Sequence, residues 1–136
     1  MRLTLEKVLV LKSVGLLSSV PEDALIEVAS ILEELEYEAG DEIIREGELG
    51  TTMYIIVEGR VRVHANGRDL AELGSREVFG ELAALDPQPR AASVTALEHT
   101  QLFGVSRGPF LELMADYAEV STAVLKVLCQ RLRASH

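Results

Sequence analysis

The feature that most constrains the fold is a change in the spacing of apolar residues at about Glu36. Before it, leucines and valines recur every three or four residues, which is typical of amphipathic helices. After it, short runs rich in isoleucine and valine are separated by Gly40, Gly47, Gly50 and Gly59. Such runs predict β-structure with tight turns, in a small sandwich or a barrel. We interpret the four glycines as turn formers and not as ligand contacts.

Two helices are predicted before this change, so that the helical part covers residues 1–35. The first helix occupies about the first dozen residues. The second begins at Ser19-Val20-Pro21-Glu22, which has the pattern of a capping box, with Ser19 as the N-cap and Glu22 three residues later.

The β-structure is predicted over about residues 36–105, and helical spacing returns over about 107–134. Asn66-Gly67 is a strong signal for a two-residue hairpin loop. The last helix carries an apolar stripe that comprises Val120, Val124, Val127, Leu128 and Leu132. The plan is one domain over residues 1–136: a helix pair, a β core with one short inserted helix, and a second helix pair.

The charge balance excludes one class of partner. The chain has 22 acidic and 13 basic side chains and a formal net charge of −9, and nucleic-acid binding requires a positive field. We therefore expect no direct nucleic-acid binding by this chain. Charged residues interrupt the apolar N-terminus, which predicts neither membrane insertion nor an export signal. The single cysteine, Cys129, is expected to be a small buried residue, and the protein to be cytoplasmic.

The stretch FGELAALDPQPRAASVTA, residues 79–96, contains Arg90 among prolines and small residues. Arg90 is either a solvated loop residue or an anion-binding residue. The composition of residues 80–85 favours a short helix after the glycine, which Pro87 ends within about two turns, and the start of that helix would offer N–H groups to an anion. The small side chains of Ala91, Ala92 and Ser93 would let a ligand approach the backbone closely. A guanidinium fork in this setting suits a phosphate. The carboxylate of Glu81 is compatible with that ligand if it accepts a hydrogen bond from a sugar hydroxyl.

The segments Phe79-Gly80-Glu81-Leu82-Ala83 and Pro89-Arg90-Ala91-Ala92-Ser93-Val94 resemble the phosphate-binding cassette of cyclic nucleotide-binding domains. The stretch GDEIIREGELGTTMYIIVEGRVRV is similar to the glycine-spaced strands of that family, and the likeness covers nearly the whole chain. The resemblance implies a mainly β fold with flanking helices. That fold is a double-stranded β-helix, or jelly-roll-like β-roll, with an N-terminal helix pair, a short cassette helix and a C-terminal helix pair.

The resemblance also implies site residues. Arg90 is expected to bind the cyclic phosphate, and Glu81 the ribose 2′-hydroxyl. The remaining ligand-binding positions are expected to be Gly80, Leu82, Ala91, Ala92 and Ser93.

Two further positions bear on the identity of the nucleotide. Members of the family that prefer cGMP tend to have threonine directly after the arginine, whereas this chain has Ala91, so cAMP is expected and cGMP less so. In activator-type relatives the end of the last helix contacts the base, which implies a base contact at Ser135. The nucleotide is a ligand, and no cofactor is expected.

The resemblance implies a regulatory sensor that relays occupancy through its C-terminal helices to an effector domain of a larger protein. Many relatives have leucine three residues after the cassette glutamate, where this chain has Ala84, which leaves that relay in question. The alternative is a structural or protein-interaction domain that does not use the pocket. The last helix is also a candidate surface for a homodimer.

Enzyme activity is not expected, and the sequence offers no catalytic or metal-binding residues. His64, His99 and His136 show no metal-ligand spacing. No serine lies in a nucleophile-elbow motif.

Overall fold

A computed structural model describes residues 2–134, apart from the side chains of Leu82 and Arg131. The α-helices are α1 (Thr4–Lys12), α2 (Glu22–Ile31), α3 (Glu81–Leu85), α4 (Arg107–Asp116) and α5 (Ala118–Ala134). The strands are β1 (Glu33–Tyr37), β2 (Glu42–Ile44), β3 (Thr52–Glu58), β4 (Val61–Ala65), β5 (Arg68–Leu73), β6 (Val78–Phe79), β7 (Ser93–Ala96) and β8 (Thr100–Ser106). The chain divides into two compact units, a helical unit formed by the two ends of the chain and a β unit over residues 32–107.

The β unit consists of two antiparallel four-stranded sheets. Their strand orders are β1-β8-β3-β6 and β2-β7-β4-β5. Buried side chains from both sheets form one core, which comprises Ile44, Ile56, Val61, Phe79, Val94 and Leu102. This confirms the predicted mainly β fold with flanking helices. The hairpin is also confirmed, because Asn66 and Gly67 have φ values of 53° and 74° between β4 and β5, as a type I′ turn requires.

Strand β1 begins at Glu33, earlier than predicted. The predicted helical segment reached residue 35, but α2 ends at Ile31 because Leu35 pairs with Leu102 of β8 in the strand register. Strand β1 is the terminal strand of its sheet, and its glutamates Glu33, Glu34 and Glu36 are all exposed.

The start of α2 differs from the predicted capping box. The Leu25 N–H donates to the Pro21 carbonyl at 3.1 Å, so Pro21 accepts the first helical hydrogen bond. Glu22 therefore occupies the first helical position and not the third. The prediction of Ser19 as N-cap is wrong, since the chain between Ser19 and Pro21 is not yet helical.

The helical unit packs α1 against α2, and α5 against a single 3₁₀ turn at Gly15–Leu17. Its buried apolar side chains include Leu11, Leu17, Leu25, Phe110, Val120 and Val124. Cys129 is exposed, so its predicted burial is wrong. It follows Leu125 by four residues and precedes Leu132 by three, which places all three on a face of α5 other than the buried one. None of the helices described is long and apolar enough to cross a bilayer.

Candidate functional site

Gly80 makes the turn from β6 into α3. Its φ is +81°, in the left-handed region that glycine adopts without steric cost. A Cβ on this residue would also lie 2.9 Å from the Thr52 carbonyl oxygen and 2.9 Å from Nη1 of Arg90. Glycine is therefore required here both by the turn and by the close approach of two neighbours.

Arg90 is fixed through its own backbone to the loop between β2 and β3. Its N–H donates to the Glu48 carbonyl at 2.9 Å, and its carbonyl accepts from the Gly47 N–H at 2.8 Å. The preceding residue, Pro89, forms an antiparallel bridge with Leu49. The backbone of Arg90 and this loop therefore form one hydrogen-bonded pair of segments.

The guanidinium of Arg90 is oriented by two backbone carbonyls. Nη2 donates to the Thr52 oxygen at 3.0 Å, and Nη1 donates to the Gly80 oxygen at 3.4 Å. An arginine side chain has five N–H donors in a planar fork, so these two bonds fix the plane and leave further donors for an acceptor. The solvated-loop interpretation of Arg90 is wrong, because the side chain is partly buried and donates to backbone carbonyls of two separate segments of the β unit.

Glu81 is the first residue of α3, and only 4% of its surface is exposed. Burial lowers the pKa of Arg90 below its ordinary value, while the nearby Tyr54 and Glu81 oppose that shift. A guanidinium remains charged at neutral pH even so, since its ordinary pKa is far higher. The structure thus brings Glu81 and Arg90 within electrostatic reach of each other.

Tyr54 lies within electrostatic reach of Arg90. Its ring stacks on Phe79 with centroids 5.1 Å apart. Burial is the main cause that raises the pKa of Tyr54, and Tyr37 adds to it, whereas Arg90 acts in the opposite direction. No pattern in the sequence singles out Tyr54 as a neighbour of Arg90.

The other predicted site residues follow Arg90 into β7. Ala91 is exposed, Ala92 is partly buried and Ser93 is buried. The Ser93 hydroxyl accepts a hydrogen bond from the Glu46 N–H at 2.9 Å, so this side chain ties β7 to the segment after β2. The backbone of Leu82 lies in α3. Ser135, the predicted base contact, lies outside the described residues.

Sequence reasoning missed Gly50 and Thr52. Gly40, Gly47 and Gly59 have φ values of 92°, 86° and 114°, which confirms them as turn formers. Gly50 has no such φ, and a Cβ there would lie 2.6 Å from Nη2 of Arg90. The spacing of the glycines in the sequence does not distinguish Gly50 from the others.

A hollow of about 180 Å³ lies in the helical unit. Its lining includes the carboxylates of Glu27, Glu112 and Asp116, and the Tyr117 hydroxyl donates to Glu27 at 2.9 Å. Three acidic groups make this hollow unsuitable for an anion. Over residues 2–134, no cluster of three or more histidine, cysteine, aspartate or glutamate side chains is arranged to hold a metal ion.

The fold and the site define a class of structure, namely a β-roll in which an arginine lies beside a turn from a strand into a short helix. The chain belongs to the cyclic nucleotide-binding domain family, whose model matches residues 34–117.

Two curated relatives illustrate the range of that family. The CRP-like cAMP-activated global transcriptional regulator of Mycobacterium tuberculosis is 30% identical over 132 residues, which cover 93% of this chain and 59% of the relative. The human cGMP-dependent protein kinase 2 is 39% identical over 117 residues, which cover 81% of this chain and 15% of the kinase. The chain thus spans less than two thirds of either protein.

The crystal structure of the Thermus thermophilus catabolite activator protein is similar to this chain, with a TM-score of 0.82 at 32% identity. The match covers 89% of this chain and 59% of that structure.

Proposed function

We propose that this chain is a sensor domain that binds cAMP at Arg90 and relays occupancy through α4 and α5, without catalysing a reaction. The observation that supports the proposal is the orientation of Arg90. The Thr52 and Gly80 carbonyls hold its guanidinium near the buried Glu81. A family that is defined by nucleotide binding supplies the class of ligand.

The charges at this site favour a singly charged phosphodiester. Arg90 is half-buried, so an anion that meets it is partly withdrawn from water and interacts more strongly than at the surface. The Glu81 carboxylate nearby opposes a second negative charge. A cyclic phosphate has one negative charge, and its ribose offers the 2′-hydroxyl that a carboxylate can accept from. In this proposal Arg90 binds the phosphate and Glu81 the ribose, with the backbone of residues 80, 82 and 91–93 around them.

The preference for cAMP over cGMP rests on Ala91. Its exposed methyl group offers no hydrogen bond to a guanine amino group. The Mycobacterium tuberculosis relative is described as cAMP-activated, whereas the human relative is a cGMP-dependent kinase. Both nucleotides therefore belong in the test.

The output of the domain is proposed to pass through its C-terminal helices to an effector domain in a larger protein, because the chain covers only part of its curated relatives. Amide hydrogen exchange over α4 and α5, with and without cAMP, tests the relay. We expect the exchange of these helices to change on binding. Unchanged exchange in both, at saturating cAMP, would contradict the relay but not the binding.

A homodimer through α5 is the second part of this proposal. Leu125 and Leu132 are 61% and 63% exposed, and the exposed Cys129 lies between them on the same face. We expect a concentration-dependent dimer that Leu125→Lys weakens, while Leu70→Lys, at an exposed leucine of β5, has no effect. Sedimentation equilibrium measures this. A wild type that stays monomeric at all concentrations would contradict the dimer.

Thermal unfolding with cAMP tests the binding itself. A ligand present at a hundred times its dissociation constant stabilises the folded state by about 2.7 kcal/mol, which raises the melting temperature by several degrees. We expect this rise with millimolar cAMP, a smaller one with cGMP, and none with 5′-AMP as the acyclic control. An unchanged melting temperature with both cyclic nucleotides would support the structural or protein-interaction alternative.

A further inference from the structure

The turn glycines of this chain are required by their positive φ values, whereas Gly50 is required by a neighbouring side chain. Its φ lies outside the left-handed region, so the backbone turn itself does not require glycine here. A Cβ built on Gly50 would meet Nε of Arg90, and would lie 2.6 Å from Nη2 and 2.8 Å from Cζ. The backbone conformation permits alanine at residue 50, but the guanidinium of Arg90 occupies the space.

The loop that carries Gly50 has little freedom to move away from the arginine. Both backbone hydrogen bonds of Arg90 join it to residues 47 and 48 of this loop, and Leu49 is bridged to Pro89. At the other end, Thr52 opens β3, which pairs with β8 through Thr52 and Ser106. A Cβ at residue 50 would therefore displace the end of the Arg90 side chain, the only flexible group among these contacts.

We infer that Gly50 is a positioning residue, which sets the guanidinium of Arg90 at the angle at which it presents its free edge to an anion. The side chain lies between two glycines. Gly80 is needed for the turn as well as for the arginine, whereas Gly50 is needed for the arginine alone. The effect of Gly50 on nucleotide affinity rests on the proposed function, but its effect on Arg90 does not.

Gly50→Ala tests the inference, with Gly74→Ala as the matched control, because a Cβ on Gly74 meets nothing within 4 Å and its φ is also ordinary. Gly74→Ala is expected to unfold at or above the wild-type temperature, since alanine reduces the freedom of the unfolded chain. In Gly50→Ala the same gain is offset by the weakened bonds from Arg90 to the Thr52 and Gly80 carbonyls, so its unfolding temperature is expected to lie within a few degrees of the wild type. In the absence of nucleotide, the ¹H–¹⁵N signal of the Arg90 Nε–H group is expected to shift in Gly50→Ala and to stay in place in Gly74→Ala. The signal is assigned by its loss in Arg90→Lys.

Calorimetric titration with cAMP provides the second measurement. Gly50→Ala is expected to bind about tenfold more weakly, which corresponds to the loss of one charge-assisted hydrogen bond. In an Arg90→Ala background, adding Gly50→Ala is expected to cause no further loss. A merely structural role would weaken binding in both backgrounds.

The possible failures are distinguishable. An Arg90 Nε–H signal at its wild-type position in Gly50→Ala would overturn the inference, whatever the nucleotide does. A further loss of affinity in the Arg90→Ala background would overturn it as well. If the signal shifts but the wild type does not bind cyclic nucleotides, the positioning role stands and the proposed function fails.

Discussion

Replacement of Arg90 is the most direct perturbation of the proposed site. Arg90→Ala removes both the charge and the planar fork, whereas Arg90→Lys keeps the charge and removes the fork. The fork is oriented by the Thr52 and Gly80 carbonyls at 3.0 and 3.4 Å, so its remaining edge is expected to meet two phosphate oxygens together. A lysine ammonium cannot reproduce that paired contact.

The magnitude follows from the number of bonds lost. A hydrogen bond to a charged group is worth about 1.5–3 kcal/mol, and about 1.4 kcal/mol is a factor of ten in affinity. Arg90→Lys loses one such bond, which predicts a loss of about tenfold to 150-fold. Arg90→Ala loses both bonds to the phosphate, which predicts a loss of cAMP affinity of about 10²- to 10⁴-fold. A loss of at least about tenfold is the minimum that the proposal requires.

Folding should change much less than binding. The two bonds to backbone carbonyls are worth about 1 kcal/mol each, and removing a guanidinium whose burial already lowers its pKa relieves part of that loss. We therefore expect Arg90→Ala to reduce the free energy of unfolding by about 1–2 kcal/mol, as measured with urea.

Arg76→Ala is the matched control for these measurements. Arg76 is also partly buried and also donates to a backbone carbonyl, that of Val57 at 2.7 Å. Val57 lies five residues along β3 from Thr52, roughly 17 Å away in an extended strand. Arg76→Ala should leave cAMP affinity unchanged in calorimetric titrations. If folded Arg90→Ala binds cAMP within threefold of wild type, Arg90 does not bind the phosphate.

Three further predictions concern neighbouring positions. Glu81→Ala should abolish the preference for cAMP over 2′-deoxy-cAMP, which we expect to be about tenfold in the wild type. If competition binding gives the same ratio of the two affinities in the variant, Glu81 does not bind the ribose. Ala91→Thr should narrow the gap between cAMP and cGMP affinities, and an unchanged ratio in paired titrations would reject that role. Ala84→Leu should lower the free energy of unfolding by about 1–3 kcal/mol, because Ala84 is fully buried and the larger side chain overpacks its surroundings. Equal urea midpoints for wild type and Ala84→Leu would contradict this, because they would show that the core around residue 84 has room for the larger side chain.

The predictable parts of the structure are those that local chemistry determines. Asn66-Gly67 forms its hairpin because both residues tolerate positive φ. Gly80, Glu81 and Arg90 were identified because they lie within one short stretch with family-like spacing, and the fold brings them together. Thr52 and Gly50 reach Arg90 only because the β2–β3 loop bonds to its backbone, a pairing that no local pattern predicts.

The errors arise where one pattern fits two structures. Leu35 continues the helical stripe of α2 and equally alternates with Tyr37 as a strand would. Pairing with β8 decided between them. On α5 the apolar residues are so dense that the buried face depends on its neighbours, which left Cys129 on the opposite side.

The three glutamates of β1 also affect how copies of this protein behave at high concentration. The outer edge of a terminal strand is where another extended chain can add to a sheet, and like charges along that edge discourage the addition. This repulsion reaches about 10 Å at 0.1 M salt but only about 3 Å at 1 M. Concentrated salt therefore weakens the repulsion that dilute buffer leaves in place, so contact between the β1 edges of two molecules is expected to become less unfavourable as salt is added.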